Sequence, residues 1–100
     1  PKSKLLLDPG FGFGKNLAHN YALLARLSEL HRFELPLLVG MSRKSMIGQI
    51  LNVPPAQRVH GSIACAVIAA MQGAQIIRVH DVKETADAMR IVEATLSAKE

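Results

Sequence analysis

The sequence predicts a parallel α/β fold, and three observations carry that expectation. Three short apolar runs, 4–8, 37–40 and 76–80, are nearly continuous rather than alternating, the pattern of strands covered on both faces. Helical patterns lie between and after them, giving the order β-α-β-(α)α-β-α, which implies right-handed crossovers and a parallel sheet. The strands begin roughly 30 to 40 residues apart, close to the spacing of eight units in a (β/α)8 barrel of about 250 residues. Three strands cannot close a barrel, and an open three-stranded sheet would be thinner than usual.

The elements follow from local signals. The first strand reads Lys4-Leu5-Leu6-Leu7-Asp8. Asn16 is placed to cap a helix carrying Leu17, Tyr21, Leu24 and Leu27 on one stripe, ending near Phe33 and before Pro36. After the second strand, Leu37-Leu38-Val39-Gly40, a short helix over 44–51 is broken by Pro54 and Pro55. Pro55 opens the next helix, and Gly73 stops it. The third strand, Ile76-Ile77-Arg78-Val79-His80, runs into Asp81 as N-cap with Glu84 three residues on, a capping box. The last helix then sets Ala86, Met89, Val92 and Leu96 along one face. Residues 1–100 form part of one domain with no internal boundary, and there is no repeat beyond the βα rhythm.

Composition removes several classes. At 49% hydrophobic and 20% charged, the 100 residues have ample apolar mass to offset ordering entropy, so a disordered chain is excluded. The sequence opens Pro-Lys-Ser-Lys without Met and ends Ala98-Lys99-Glu100 straight off a helical pattern, which reads as a piece of a longer protein. One cysteine cannot form an internal disulfide, which favours a reducing, cytoplasmic setting. The longest apolar run, 63–71, falls well short of the ~20 residues of a membrane span, and no signal-peptide pattern opens the sequence. The net charge of +4 is modest, so its placement matters more than its sum.

The polar residues of interest gather at the carboxyl ends of the strands, where parallel α/β folds bind ligands. The three ends read Asp8-Pro9-Gly10-Phe11-Gly12-Phe13-Gly14-Lys15, Gly40-Met41-Ser42-Arg43-Lys44-Ser45 and Arg78-Val79-His80-Asp81. The glycine loop fits neither a dinucleotide fingerprint, which needs glycine where Lys15 stands, nor a Walker A loop, which needs Ser or Thr where Asn16 stands. It remains a pliable loop able to approach a flat ligand, with Phe11 suited to the core and Phe13 to contact. Asp8, directly after three leucines, loses hydration there and needs strong partners. A heterocycle's fork of N–H donors and a salt bridge to Lys44 or Arg78 serve equally. Arg78 and His80 share a face and make a good anion clamp, while Ile77 and Val79 point the other way. Ser42 and Arg43 precede a short helix whose N–H groups suit an anion, with Arg43 the weaker candidate.

The remaining residues read as structural. His19 and His31 lie on an amphipathic helix, and His60 lacks metal-spaced partners. Cys65, without acid–base neighbours, is a packed thiol. The helix around it is apolar nearly all round, which calls for cover on more than one side by other helices or a second subunit. Interleaved aromatics for nucleic acid are missing.

Together the three strand-end motifs resemble the last three of the bacterial dihydropteroate synthases, in order and across essentially the whole chain. That family is a (β/α)8 barrel, and the resemblance places this chain at its C-terminal sixth, seventh and eighth βα units. The family condenses p-aminobenzoate with 6-hydroxymethyl-7,8-dihydropterin diphosphate, giving 7,8-dihydropteroate and pyrophosphate in folate biosynthesis. By that resemblance Asp8 and Lys44 bind the pterin, and Gly12, Phe13, Ser42 and Lys44 bind p-aminobenzoate. Arg78 and His80 would bind the diphosphate, which with Lys44 makes them the catalytic group. The resemblance also implies competing sulfonamide inhibitors, a homodimer, and Mg2+ held by an asparagine of the family's early strands. That asparagine, a second pterin-binding asparagine and two mobile loops have no counterpart among these residues, so the 100-residue chain alone is expected to be inactive. Two other classes remain: a free-standing anion-binding α/β module, and a non-catalytic interaction fragment using the apolar 63–71 helix.

Overall fold

The computed structural model describes residues 5–12 and 15–98. Leu7 makes a single parallel bridge to Leu37, with Leu7 N–H donating to the Pro36 carbonyl and Leu38 N–H to that of Leu7, both at 2.9 Å. Strand β1, Leu38–Val39, pairs in parallel with β2, Ile76–Ile77, and Leu38 sits opposite Ile76. The three apolar runs therefore lie side by side in chain order, parallel, with their carboxyl ends on one edge of the molecule. The α/β expectation holds. The strands are shorter than predicted, because pairing is confined to the stretches where neighbouring backbones meet.

Helices α1 (Leu17–Ala25), α2 (Ser45–Leu51), α3 (Val59–Met71) and α4 (Val82–Ser97) follow the predicted order. Leu27, Leu37 and Val39 are fully buried, and Phe11, Leu24, Met41, Met46, Ile47, Cys65 and Ala69 complete the core around them. The predicted Leu17–Leu27 stripe faces this core, with Leu24 and Leu27 buried and Leu17 and Tyr21 half-buried. Helix α4 packs mainly on α3. Ile77 and Val79 line a groove of about 410 Å³ beside α4, together with Met89, Val92 and Leu96.

Three local expectations are corrected. The helix predicted to run to Phe33 leaves the α form at Ala25 and continues as a 3-10 helix, Leu27–Phe33. The cause is tertiary: Gln72, at the end of α3, accepts from Ser28 N–H at 3.0 Å and donates to the Leu24 carbonyl, while the Gln72 carbonyl meets His31 Nε2 at 2.7 Å. Gly73 beside it has φ +93 and leaves room only for the His31 ring.

Pro55 opens a separate 3-10 turn, Pro55–Gln57, rather than α3, which starts at Val59. Helix α2 ends at Asn52 in the left-handed region, two residues before Pro54. Asp81 precedes α4 but makes no side-chain cap; its carboxylate is held by Arg43 instead. The apolar helix α3 meets α1, α2 and α4, which bury Cys65, Ala66 and Ala69, while Ile68 and Met71 stay 44% exposed.

Candidate functional site

The site begins with the loop after Leu7. Asp8 is exposed, not dehydrated as the sequence suggested, and its Oδ1 accepts the Gly10 N–H at 2.9 Å. Phe11 turns inward and is 1% exposed. Gly12 has φ +89, which glycine adopts without a Cβ penalty. The loop is fastened twice. The Gly12 N–H donates to Asn20 Oδ1 at 2.9 Å, and Lys15 Nζ reaches the Gly10 carbonyl at 3.0 Å. Asn16 caps α1 as predicted, accepting from His19 N–H at 2.8 Å. Phe13 lies outside the described residues.

The second strand end delivers Ser42, Arg43 and Lys44. Lys44 Nζ donates to the Phe11 carbonyl at 2.8 Å, tying the second loop to the first. Burial lowers the Lys44 pKa and the Arg78 guanidinium pushes the same way, while the Asp8 carboxylate opposes both. Lys44 therefore senses the charges of both Asp8 and Arg78. The Ser42 hydroxyl lies 2.8 Å from His80 Nδ1 and accepts the His80 N–H at 3.2 Å. Arg78 lies over Gly40: a Cβ on that glycine would sit 3.6 Å from the Arg78 Cβ. Gly40, Ser42, Lys44, Arg78 and His80 line one small cleft of about 50 Å³.

Arg43, the weaker candidate, does not face that cleft. Its guanidinium pairs with Asp81 at 2.7 Å, which raises the Arg43 pKa and lowers that of Asp81, in each case chiefly through this hydrogen bond. The Cys65 thiol is pushed up by burial, consistent with an inert packed group. Among the described residues no group of three or more His, Cys, Asp or Glu side chains could hold a metal ion. The donors here do not fit a Mg2+ site.

Sequence patterns give little warning of Asn20, Arg58 and Ser62, which support the loops without lining the cleft. Only Asn20 carries a signal, as an amide on an otherwise apolar helical stripe.

Residues 1–80 match the family model described as pterin binding enzyme. The chain belongs to that family. It is 82% identical over 99 residues to the dihydropteroate synthase of Escherichia coli (strain K12), covering 99% of this chain and 35% of that protein. Among solved structures, the dihydropteroate synthase of Yersinia pestis with a pterine-sulfa conjugate aligns with a TM-score of 0.94 and 87% identity, covering 95% of this chain and 38% of that one. The Thermus thermophilus enzyme in complex with 4-aminobenzoate gives 0.85 and 53%, covering 89% of this chain and 37% of that one. The chain thus spans about a third of the length of the curated relative. No helix among the described residues is long and apolar enough to cross a membrane.

Proposed function

We propose that these residues are the C-terminal part of a dihydropteroate synthase, the sixth to eighth βα units of its (β/α)8 barrel domain. The observation that carries the reading is the cleft itself: Ser42, Lys44, Arg78 and His80, from two adjacent strand ends, line one space with the Asp8 charge felt at its edge. The identity to enzymes whose structures hold a pterine-sulfa conjugate or 4-aminobenzoate supports the same substrates here.

In this reading Asp8 accepts two hydrogen bonds from the amide and amino edge of the pterin, as a carboxylate does from a forked donor. Lys44 touches the pterin and borders the p-aminobenzoate ring. Gly12 and Phe13 wall that ring, and Ser42 meets its carboxylate. Arg78 and His80 hold the diphosphate. The bond from the pterin methylene to the diphosphate oxygen breaks, and its electron pair leaves with pyrophosphate. Stabilising that developing charge with preorganised donors lowers the barrier. The neutral aryl amine then attacks the cationic methylene, forms the C–N bond and gives up a proton. No protein nucleophile takes part, which suits the packed thiol of Cys65. Mg2+ would be held by residues outside this chain. Sulfonamides would compete at the aminobenzoate pocket, in a cytoplasmic homodimer.

The test is a chimera in which this chain replaces the matching 99 residues of the E. coli enzyme. Dihydropteroate formation and pyrophosphate release near the parental rate are expected, and a folded chimera without turnover overturns the proposal. The 100-residue chain alone should show no turnover.

A further inference from the structure

Between the two cleft residues Ser42 and Lys44 stands Arg43, whose side chain does not line the cleft. Arg43 has φ +58, a left-handed conformation that an L side chain rarely adopts and that surrounding structure must hold. Both of its backbone polar groups are gripped from outside the loop. The Arg43 N–H donates to Ser62 Oγ at 2.8 Å, and the Arg43 carbonyl accepts from Arg58 Nη1 at 2.9 Å. The Arg58 Nε donates to the Val53 carbonyl at 2.9 Å, so the planar guanidinium is fixed at two corners. Its path crosses Gly48 of α2, where a Cβ would overlap it. Ser62 N–H bonds the Arg58 carbonyl at 2.8 Å, so both grips come from the start of α3.

We propose that Arg58 is a positioning residue: by holding Arg43 in its left-handed conformation, it aims Ser42 and Lys44 into the cleft. The two neighbours make the contacts that close the site, Ser42 with His80 and Lys44 with the Phe11 carbonyl. If the Arg43 peptide relaxes toward ordinary backbone, both side chains swing off these partners together. Arg58 itself does not line the cleft. The inference rests on the proposed function for its kinetic readout, but not for its structural one.

The experiment uses the chimera carrying Arg58→Ala or Arg58→Lys, and measures kinetics beside amide hydrogen exchange. For Arg58→Ala, KM for p-aminobenzoate should rise about tenfold and kcat should fall by a smaller factor, since Ser42 serves that substrate alone while Lys44 also belongs to the catalytic group. Free guanidinium should restore most of the loss, and Arg58→Lys, whose ammonium is no planar fork, should fall between. Exchange at the Arg43 and Lys44 amides should accelerate with little change along α3. A lowered melting temperature with KM and exchange unchanged overturns the proposal, as does a KM rise that guanidinium leaves untouched. If the parent chimera lacks turnover altogether, the functional reading fails. Exchange then decides the brace by itself: faster at Arg43 and Lys44 supports it, unchanged refutes it.

Discussion

Replacing Asn20 with alanine tests how the glycine loop is held. Asn20 is 4% exposed on α1, and its Oδ1 accepts the Gly12 N–H at 2.9 Å. The substitution removes that hydrogen bond, worth ~1 kcal/mol net. It also removes buried side-chain atoms, adding roughly 1 kcal/mol for the space left behind. Gly12 is exposed, so its freed N–H can turn to water rather than remain an orphan, and the total stays near about 2 kcal/mol. Only the hydrogen-bond share acts on the position of Gly12, which the proposed function sets beside p-aminobenzoate. About 1 kcal/mol corresponds to roughly a fivefold higher KM for p-aminobenzoate, with the pterin diphosphate KM nearly unchanged. Steady-state kinetics of the chimera with each substrate varied in turn reads this split. Asn20→Asp keeps the acceptor oxygen and should restore KM while still melting below the parent. An Asn20→Ala enzyme with an unaltered aminobenzoate KM refutes the claim that this amide sets the loop.

Three more outcomes are expected. Asp8→Asn should weaken pterin binding by about tenfold or more, since one charge-assisted acceptor is lost, and leave p-aminobenzoate much less affected; calorimetric titration of each ligand checks it. The depressed Lys44 pKa means its ammonium loses its proton below the ordinary 10.5, so aminobenzoate KM should climb on the alkaline limb before that pH. Lys44→Arg should move the rise out of range, and its persistence in that variant would assign the limb to another group. The Asp81 carboxyl is held below its ordinary 3.8 by Arg43. Its stabilisation is complete above that value and is lost as pH falls through the lower folded one. Acid melts of the parent and Asp81→Asn should accordingly differ at neutral pH and converge on strong acidification.

The strand ends were legible because a continuous apolar run followed by Asp8, Ser42 or His80 marks a strand giving way to a polar loop, although only the second run is buried here while Leu5, Leu6 and Ile76 stay exposed. Arg78 and His80 two apart had to share a face, and they do line one cleft. Long-range side-chain contacts were not legible. Gln72 reshapes the stretch 27–33 across 44 residues, from Gln72 to Ser28, and nothing in that stretch's own periodicity announces it. Asp81 and Glu84 had the spacing of a capping box, yet Arg43 outcompetes the helix N–H groups for the Asp81 carboxylate. A charged fork at 2.7 Å is a stronger partner than a backbone amide. Arg58 carries no signal in the sequence, because the Val53 and Arg43 carbonyls it holds cannot be located from spacing.

The side-by-side order of the three apolar runs bears on how the chain is made. Leu7 lies against Leu37, and Leu38–Val39 against Ile76–Ile77, so each newly synthesised unit finds its docking surface on the unit just before it. Each pairing closes a loop only after its intervening helix is made, Leu7 with Leu37 and then Leu38 with Ile76, so loop-closure entropy is met one unit at a time. The segment can therefore be laid down progressively as it leaves the ribosome, with the cleft completed only when His80 arrives beside Ser42.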